Sequence, residues 1–130
     1  MFSIFPMAAL VGLAFIQSAC AQKTSNQPQS ADTSKYVYIV THIDVTPNFS
    51  DGANKAIQKY AADSRKDKGA VSIEGLVQDG RTNHFTIVEV WQSREAFEAH
   101  AGLAHSREFR EALHPMLGAP FDERLHEPIP

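Results

Sequence analysis

Residues 89–109 read EVWQSREAFEAHAGLAHSREF, and this stretch decides the fold. Glu89 and Trp91 end a short apolar strand. Ser93 follows as a helix N-cap, because its side-chain oxygen accepts from a free N–H of the first turn. Phe97 and His100 then lie on one side of the predicted helix, since residues three apart share a helical face.

The same stretch predicts a break in the helix. Gly102 is expected to interrupt it, because glycine lowers helix stability. Ser106 is expected to cap a second segment, which Pro115 ends because proline cannot donate the next backbone hydrogen bond.

A strand is predicted upstream, over residues 36–45, which are mainly β-branched and aromatic. Side chains alternate between the two faces of a strand. One face is suited to a core and carries Val37, Ile39, Thr41, Ile43 and Val45. The other face mixes aromatic and polar groups, which favours cover by a second subunit; it carries Tyr36, Tyr38, Val40, His42 and Asp44.

The remaining elements complete an α+β order. A helix is predicted over residues 49–67, with Gly69 supplying a left-handed cap. One stripe of this helix has helical spacing and is expected to face the core; it carries Ala53, Ala56, Ile57, Tyr60, Ala61 and Ser64. Strands follow over 70–78 and 84–91, joined by a turn at 79–82. With a last strand over 121–126, the order is the ferredoxin-like β-α-β-β-α-β, two helices on one face of an antiparallel sheet. The apolar open face predicts a homodimer packed sheet to sheet.

The first 21 residues predict an export signal. Residues 2–16 form an apolar run that is too short for a membrane-spanning helix. Small residues follow at 18–21, where cleavage after Ala21 and lipidation of Cys20 are both open. Residues 22–35 are polar and predict a linker, so residues 36–130 form the domain. The mature protein is expected in the periplasm, either soluble or anchored at Cys20.

Composition excludes several function classes. Cys20 is the single cysteine, so neither an internal disulfide nor a thiolate metal cluster can form. A net charge of −3 gives no reason to expect nucleic acid or acidic lipid as a partner. No phosphate-binding glycine motif occurs.

The chain resembles the antibiotic-biosynthesis-monooxygenase family, and within it the quinol monooxygenase branch similar to YgiN. The resemblance covers about residues 36–129 and rests on Glu-x-Trp at 89–91, on histidines nine and fourteen residues after the tryptophan, and on an aromatic four residues later. In this sequence those three positions are His100, His105 and Phe109.

The resemblance implies a dimeric α+β barrel with a pocket between sheet and helices. It also implies a monooxygenase without metal or other cofactor, whose partners are dioxygen and a small aromatic quinol or phenol. Two rival functions stay open: a non-enzymatic binding module for an apolar aromatic ligand, and an isomerase that uses the same pocket.

His100 and Trp91 are the predicted catalytic residues. An imidazole can accept a phenolic proton, and the ring of a tryptophan at a strand end can pack against a planar substrate. The alternatives are that His100 donates to a backbone carbonyl beside the kink and that Trp91 only packs. Glu89 and His105 are interpreted as polar anchors, with capping or a dimer contact as the role of His105.

The predicted pocket is apolar apart from one hydroxyl, and its lining comprises Thr41, Phe85, Ile87, Phe97, Leu103 and Phe109. No histidine metal site is expected, because no two histidines have a helix or strand spacing that aims both at one ion.

Overall fold

The structure is a computed structural model that describes residues 35–129. The predicted export signal and almost all of the linker lie outside the described residues. Within residues 35–129, no helix has the length and apolar character needed to cross a membrane.

Residues 35–129 form four strands and three helices in the predicted order, the second predicted helix being divided into two. The strands are β1 (Val37–Asp44), β2 (Ala70–Gln78), β3 (Arg81–Trp91) and β4 (Asp122–His126). The helices are α1 (Ser50–Ser64), α2 (Arg94–Ala101) and α3 (Ala104–Leu113), and short 3₁₀ turns precede α1 and follow α3.

The sheet is antiparallel, with strand order β2-β3-β1-β4. This is the ferredoxin-like arrangement, so the predicted fold class is confirmed. β3 is a central strand, and Glu89 lies opposite Ile39 of β1 and Ile73 of β2. Both isoleucines are fully buried, which places the Glu89 carboxylate in an apolar part of the sheet.

The predicted core faces are confirmed. On β1 the buried residues are Val37, Ile39, Thr41, Ile43 and, just after the strand, Val45. They meet the buried stripe of α1, which comprises Ala53, Ile57, Tyr60, Ala61 and Ser64. The opposite sheet face carries the half-buried Tyr38 and Val40, and no helix within residues 35–129 covers it.

Three predicted boundaries are wrong. β3 begins at Arg81, so the hairpin turn contains only Asp79 and Gly80. α1 ends at Ser64 because residues 65–69 form a turn that returns the chain to the sheet. α3 begins at Ala104 with Leu103 at its N-cap, so Ser106 lies inside the helix. Its hydroxyl donates to the carbonyl of His100 at 2.8 Å and holds α2 and α3 together at their break.

Gly69 is required by both backbone and packing. Its φ of 89° is in the left-handed region, and a Cβ there would lie 2.5 Å from the Cβ of Ala96. Gly80 has a φ of 72°, but a Cβ there would meet nothing within 4 Å.

The two glycines therefore form a matched pair. Gly80→Ala should lower the free energy of unfolding by about 1–2 kcal/mol, the cost of a left-handed alanine. Gly69→Ala should lower it by a clearly larger amount, because α2 must also move. Urea unfolding measures the free energy of unfolding of the two variants. Equal decreases in Gly69→Ala and Gly80→Ala would show that Ala96 does not restrict this turn.

Candidate functional site

The site is built around the hydroxyl of Tyr60, on the buried stripe of α1. The hydroxyl lies 2.8 Å from Oε1 of Glu89 and 2.8 Å from Nε2 of His100. The Tyr60 ring stacks on Phe109 of α3, with centroids 4.1 Å apart and planes 16° from parallel. One side chain of α1 therefore contacts β3, α2 and α3 together.

Glu89 is held in the sheet by two donors. Tyr60 donates to one carboxylate oxygen, and Nε1 of Trp91 donates to the other at 2.8 Å. Burial raises the pKa of Glu89, and the bonds from Tyr60 and Trp91 oppose that rise without cancelling it. Both carboxylate oxygens of Glu89 thus have a hydrogen-bond partner. Its role as a polar anchor stays a prediction.

His100 is buried and uses both ring nitrogens on side chains. Nδ1 lies 2.7 Å from Oδ2 of Asp67, and Nε2 faces Tyr60. The ring stacks on Trp91, with centroids 4.5 Å apart. The alternative in which His100 donates to a backbone carbonyl is therefore wrong, because neither nitrogen is directed at one.

Asp67 is a member of the site that the sequence did not indicate. It lies in the turn after α1, which was interpreted as the end of a helix. Its backbone carbonyl accepts from Ala70 at 3.2 Å, and this tight turn directs the carboxylate towards His100. The single signal was an acidic residue two positions before Gly69, which is too common to have been decisive.

His105 does not have the predicted capping role, because it lies within the first turn of α3. Its Nε2 is buried and lies 2.9 Å from Oδ2 of Asp67, but out of line for a hydrogen bond. The ring centroids of His100 and His105 are 5.4 Å apart.

Asp67, His100 and His105 bring three metal-type donor atoms within 4.8 Å of one another. The spacing argument against convergent histidines therefore fails, because the break between α2 and α3 turns His105 back towards His100. In this structure Nδ1 of His100 lies 2.7 Å from Oδ2 of Asp67, which is hydrogen-bond distance. We therefore describe the cluster as a hydrogen-bonded one.

A cleft of about 230 Å³ lies between α1 and α3 and reaches this cluster. We call it the α1–α3 cleft; its lining is Ala56, Lys59, Tyr60, Asp63, His105, Glu108, Phe109 and Ala112. Lys59 and Lys66 donate to Asp63 and lower its pKa to about 2. Lys59, the lysine that lines the cleft, is therefore already paired with a carboxylate.

A larger cleft of about 410 Å³ lies between α1 and β2. Among the described residues that line it, Arg65 is the only titratable one, and its guanidinium donates to the carbonyl of Ile73. We give the smaller cleft more weight, because it adjoins the buried cluster.

The predicted pocket residues do not share one cleft. Phe109 lines the α1–α3 cleft and Phe85 the α1–β2 cleft, whereas Leu103 is 41% exposed at the α2–α3 break. Thr41, Ile87 and Phe97 are buried in the core, and the Thr41 hydroxyl has no partner among residues 35–129. His100 and Trp91 line neither cleft. Their catalytic assignment stays a prediction.

The sequence profile of the family described as antibiotic biosynthesis monooxygenase matches residues 36–112. The chain belongs to this family. The match begins with β1 and ends within α3, so it includes every side chain of the buried cluster.

Several solved structures share the fold of this chain. A crystal structure of an antibiotic biosynthesis monooxygenase superposes with a TM-score of 0.69 at 15% identity, covering 72% of this chain and 99% of that one. Rv0793 from Mycobacterium tuberculosis gives 0.69 at 18% identity, covering 74% and 97%. A conserved protein of unknown function from Bacteroides thetaiotaomicron gives 0.67 at 21% identity, covering 72% and 98%. No curated protein matches the chain.

The raised pKa of Glu89 predicts a pH dependence of stability. Its stabilising effect is fully present below the ordinary value of 4.5 and is lost as pH rises through the higher folded value. Glu89→Gln removes this titration, so the variant should gain stability relative to wild type as pH rises above 4.5.

Chemical unfolding at a series of pH values measures the difference in the free energy of unfolding between Glu89→Gln and wild type. The exposed Glu98→Gln is the matched control for removal of one carboxylate. A constant difference between Glu89→Gln and wild type at every pH would show that Glu89 does not titrate abnormally.

Proposed function

We propose that this family member is a monooxygenase that oxidises a small aromatic quinol or phenol with dioxygen, bound in the α1–α3 cleft. The observation that carries the proposal is that Tyr60 and His105 line this cleft and also contact the buried cluster of titratable groups. Its volume of about 230 Å³ is below the range of drug-sized pockets, about 300–1,000 Å³, which favours a one- or two-ring substrate.

The reaction needs no external reductant. Hydroxylation of a quinol to a hydroxyquinone places one oxygen atom of O₂ in the ring and releases the other as water, and oxidation of the quinol to the quinone supplies the two electrons that reduce this second atom. A phenol that is oxidised to a quinone and water supplies these two electrons in the same way. The protein then has to bind the ring, promote loss of a hydroxyl proton and limit access of water. This chemistry is compatible with a site that uses no metal or organic cofactor.

His105 is the proposed contact for the substrate hydroxyl. It is the imidazole that lines the cleft, whereas His100 is buried behind it. Phe109 supplies an apolar ring on the same lining. In this proposal His100 and Asp67 position His105 and set the charge beneath it.

Oxygen uptake by the purified domain, with a panel of quinols and anthrones and with metal chelated, tests the proposal. His105→Ala should lower uptake above the autoxidation baseline by about 100-fold, the lower end for loss of a general base. His114→Ala removes an exposed imidazole at the end of α3 and should retain the wild-type rate. An unchanged rate in His105→Ala would exclude this cleft as the site.

A binding module for an apolar aromatic ligand is the second candidate. The observation that favours it is the complete burial of Trp91 and His100, which separates them from a ligand in the cleft. Ligand binding to wild type without oxygen uptake would support this function. Anaerobic conversion of the ligand would instead support an isomerase.

We also propose a homodimer formed through the open sheet face. Tyr38, Val40, Val88 and Val90 are half-buried there in the single chain, and an apolar face of this kind favours association. Export to the periplasm remains a proposal that is based on residues 1–21.

Val40→Glu places a charge in the middle of this face, next to Val88. Desolvation of that charge should convert a dimer into a monomer. Light scattering coupled to gel filtration measures the mass, and circular dichroism checks the fold. Gln58→Glu on the exposed side of α1 is the control. A monomeric wild type would contradict the proposal.

A further inference from the structure

We infer that Glu89, Tyr60 and His100 form a proton relay, in which the Tyr60 hydroxyl passes a proton between the His100 imidazole and the Glu89 carboxylate. The use of this relay in catalysis rests on the proposed function. The proton positions themselves are a property of the folded chain and can be measured without a substrate.

The relay follows from counting protons. The Tyr60 hydroxyl has one proton but two partners, Glu89 and His100, each at 2.8 Å. It must therefore donate to one of them and accept from the other. In the ionic arrangement Tyr60 donates to Glu89, and Nε2–H of His100 donates to Tyr60. Because Nδ1 of His100 also donates, to Asp67, the ring is then an imidazolium between two carboxylates.

A second arrangement makes the same hydrogen bonds. Here Tyr60 donates to Nε2 of a neutral His100, and a protonated Glu89 donates to the Tyr60 oxygen. The two arrangements have the same total charge. They interconvert when one proton moves from His100 to Tyr60 and another from Tyr60 to Glu89. Only N–H and O–H bonds break and form, and nothing is oxidised or reduced.

The surroundings of the relay act on the two arrangements in opposite directions. The apolar flanks Ile39 and Ile73 disfavour the charged carboxylate, and burial accordingly raises the pKa of Glu89. The imidazolium opposes this, because it is the only basic group at ion-pair distance from Glu89 among residues 35–129, at 3.9 Å. Burial also raises the pKa of Tyr60, so a free phenolate is not a resting state of the relay.

The other charges that face the relay come from the turn after α1, from α3 and from β4. Asp67 and His105 lie on the side of the α1–α3 cleft. Glu123 raises the pKa of both Tyr60 and Glu89, whereas Arg110 lowers that of Tyr60. Arg110 and Glu123 are themselves paired at 2.8 Å, so their effects on Tyr60 oppose each other.

The relay changes the charge beneath the cleft without taking a proton from solvent. An oxyanion formed in the cleft favours the ionic arrangement, which places a positive charge on His100 behind His105. Once the oxyanion is consumed, the neutral arrangement removes that charge. Glu89 is then the internal acceptor of the proton, although it never contacts the ligand.

Glu89→Gln should lock the neutral arrangement. Trp91 Nε1–H donates to the Oε2 position, so the amide oxygen of glutamine must lie there and its NH₂ must face Tyr60. The NH₂ donates to the Tyr60 oxygen, and Tyr60 then donates to Nε2 of His100. The variant therefore mimics protonated Glu89 and keeps His100 neutral.

Nitrogen-15 NMR of labelled histidine rings, recorded across a pH series without ligand, tests this inference. Over the pH series, the Nε2 signal of His100 should indicate a smaller protonated fraction in Glu89→Gln than in wild type, because the glutamine amide donates to Tyr60 and Tyr60 then donates to Nε2. The Nδ1–H tautomer should persist. Glu98→Gln is the control for charge alone. Superimposable His100 titrations in wild type and Glu89→Gln would overturn the inference.

Tyr60→Phe gives an independent measurement and keeps the ring that stacks on Phe109. In wild type, the infrared signal of the Glu89 carboxyl and the His100 ring signals should change over the same pH range. They should separate in Tyr60→Phe but not in Tyr38→Phe, which alters the open sheet face. Independent transitions in wild type would exclude the relay, whether or not the protein consumes oxygen.

Discussion

The contact on which the rest of the structure depends is the Tyr60 hydroxyl between Glu89 and His100. A carboxylate between two isoleucines in a central strand would be strongly destabilising without donors. Tyr60 supplies one from α1, and Trp91 supplies the other from the same strand. The requirement to satisfy Glu89 therefore fixes how α1 packs on the sheet, in addition to the apolar contacts between them.

The break between α2 and α3 brings His100 and His105 together. A continuous helix would carry His105 around the axis and away from His100, because residues five apart do not share a face. The break ends α2 at Ala101 and restarts the helix at Ala104, and Ser106 bonds across it to the carbonyl of His100. Both histidines then reach Asp67. The break is thus part of the site and not only a connection.

Local patterns made much of the fold predictable. The alternation in β1, the apolar stripe of α1 and the turn at Gly69 each depend on residues that are close together in the sequence, so the local pattern is enough to predict them. The site was only partly predictable, because its contacts join distant residues: Asp67 and His100 are 33 positions apart, and Tyr60 and Glu89 are 29 apart. Tyr60 was recognised as a core residue, but its hydroxyl partner depends on the packing of α1 against β3. The capping role of His105 was wrong because α3 begins one residue before it, and its dimer-contact role stays a prediction. The direction of its side chain depends on how α3 packs after the break at Gly102.

Burial restricts what this cluster can do. Glu89, His100 and Trp91 are almost fully excluded from solvent, so a ligand in the α1–α3 cleft meets only Tyr60 and His105 of the polar groups connected to them. The buried groups can act on such a ligand through their electric field and through proton positions, which are transmitted across hydrogen bonds without motion of heavy atoms. A substrate that becomes oxidisable on losing one proton is well matched to that mode of action, because a small change in charge beneath the cleft alters its reactivity. The closed packing around Trp91 is therefore compatible with oxygenase chemistry, provided that the chemistry takes place at the cleft and not within the core.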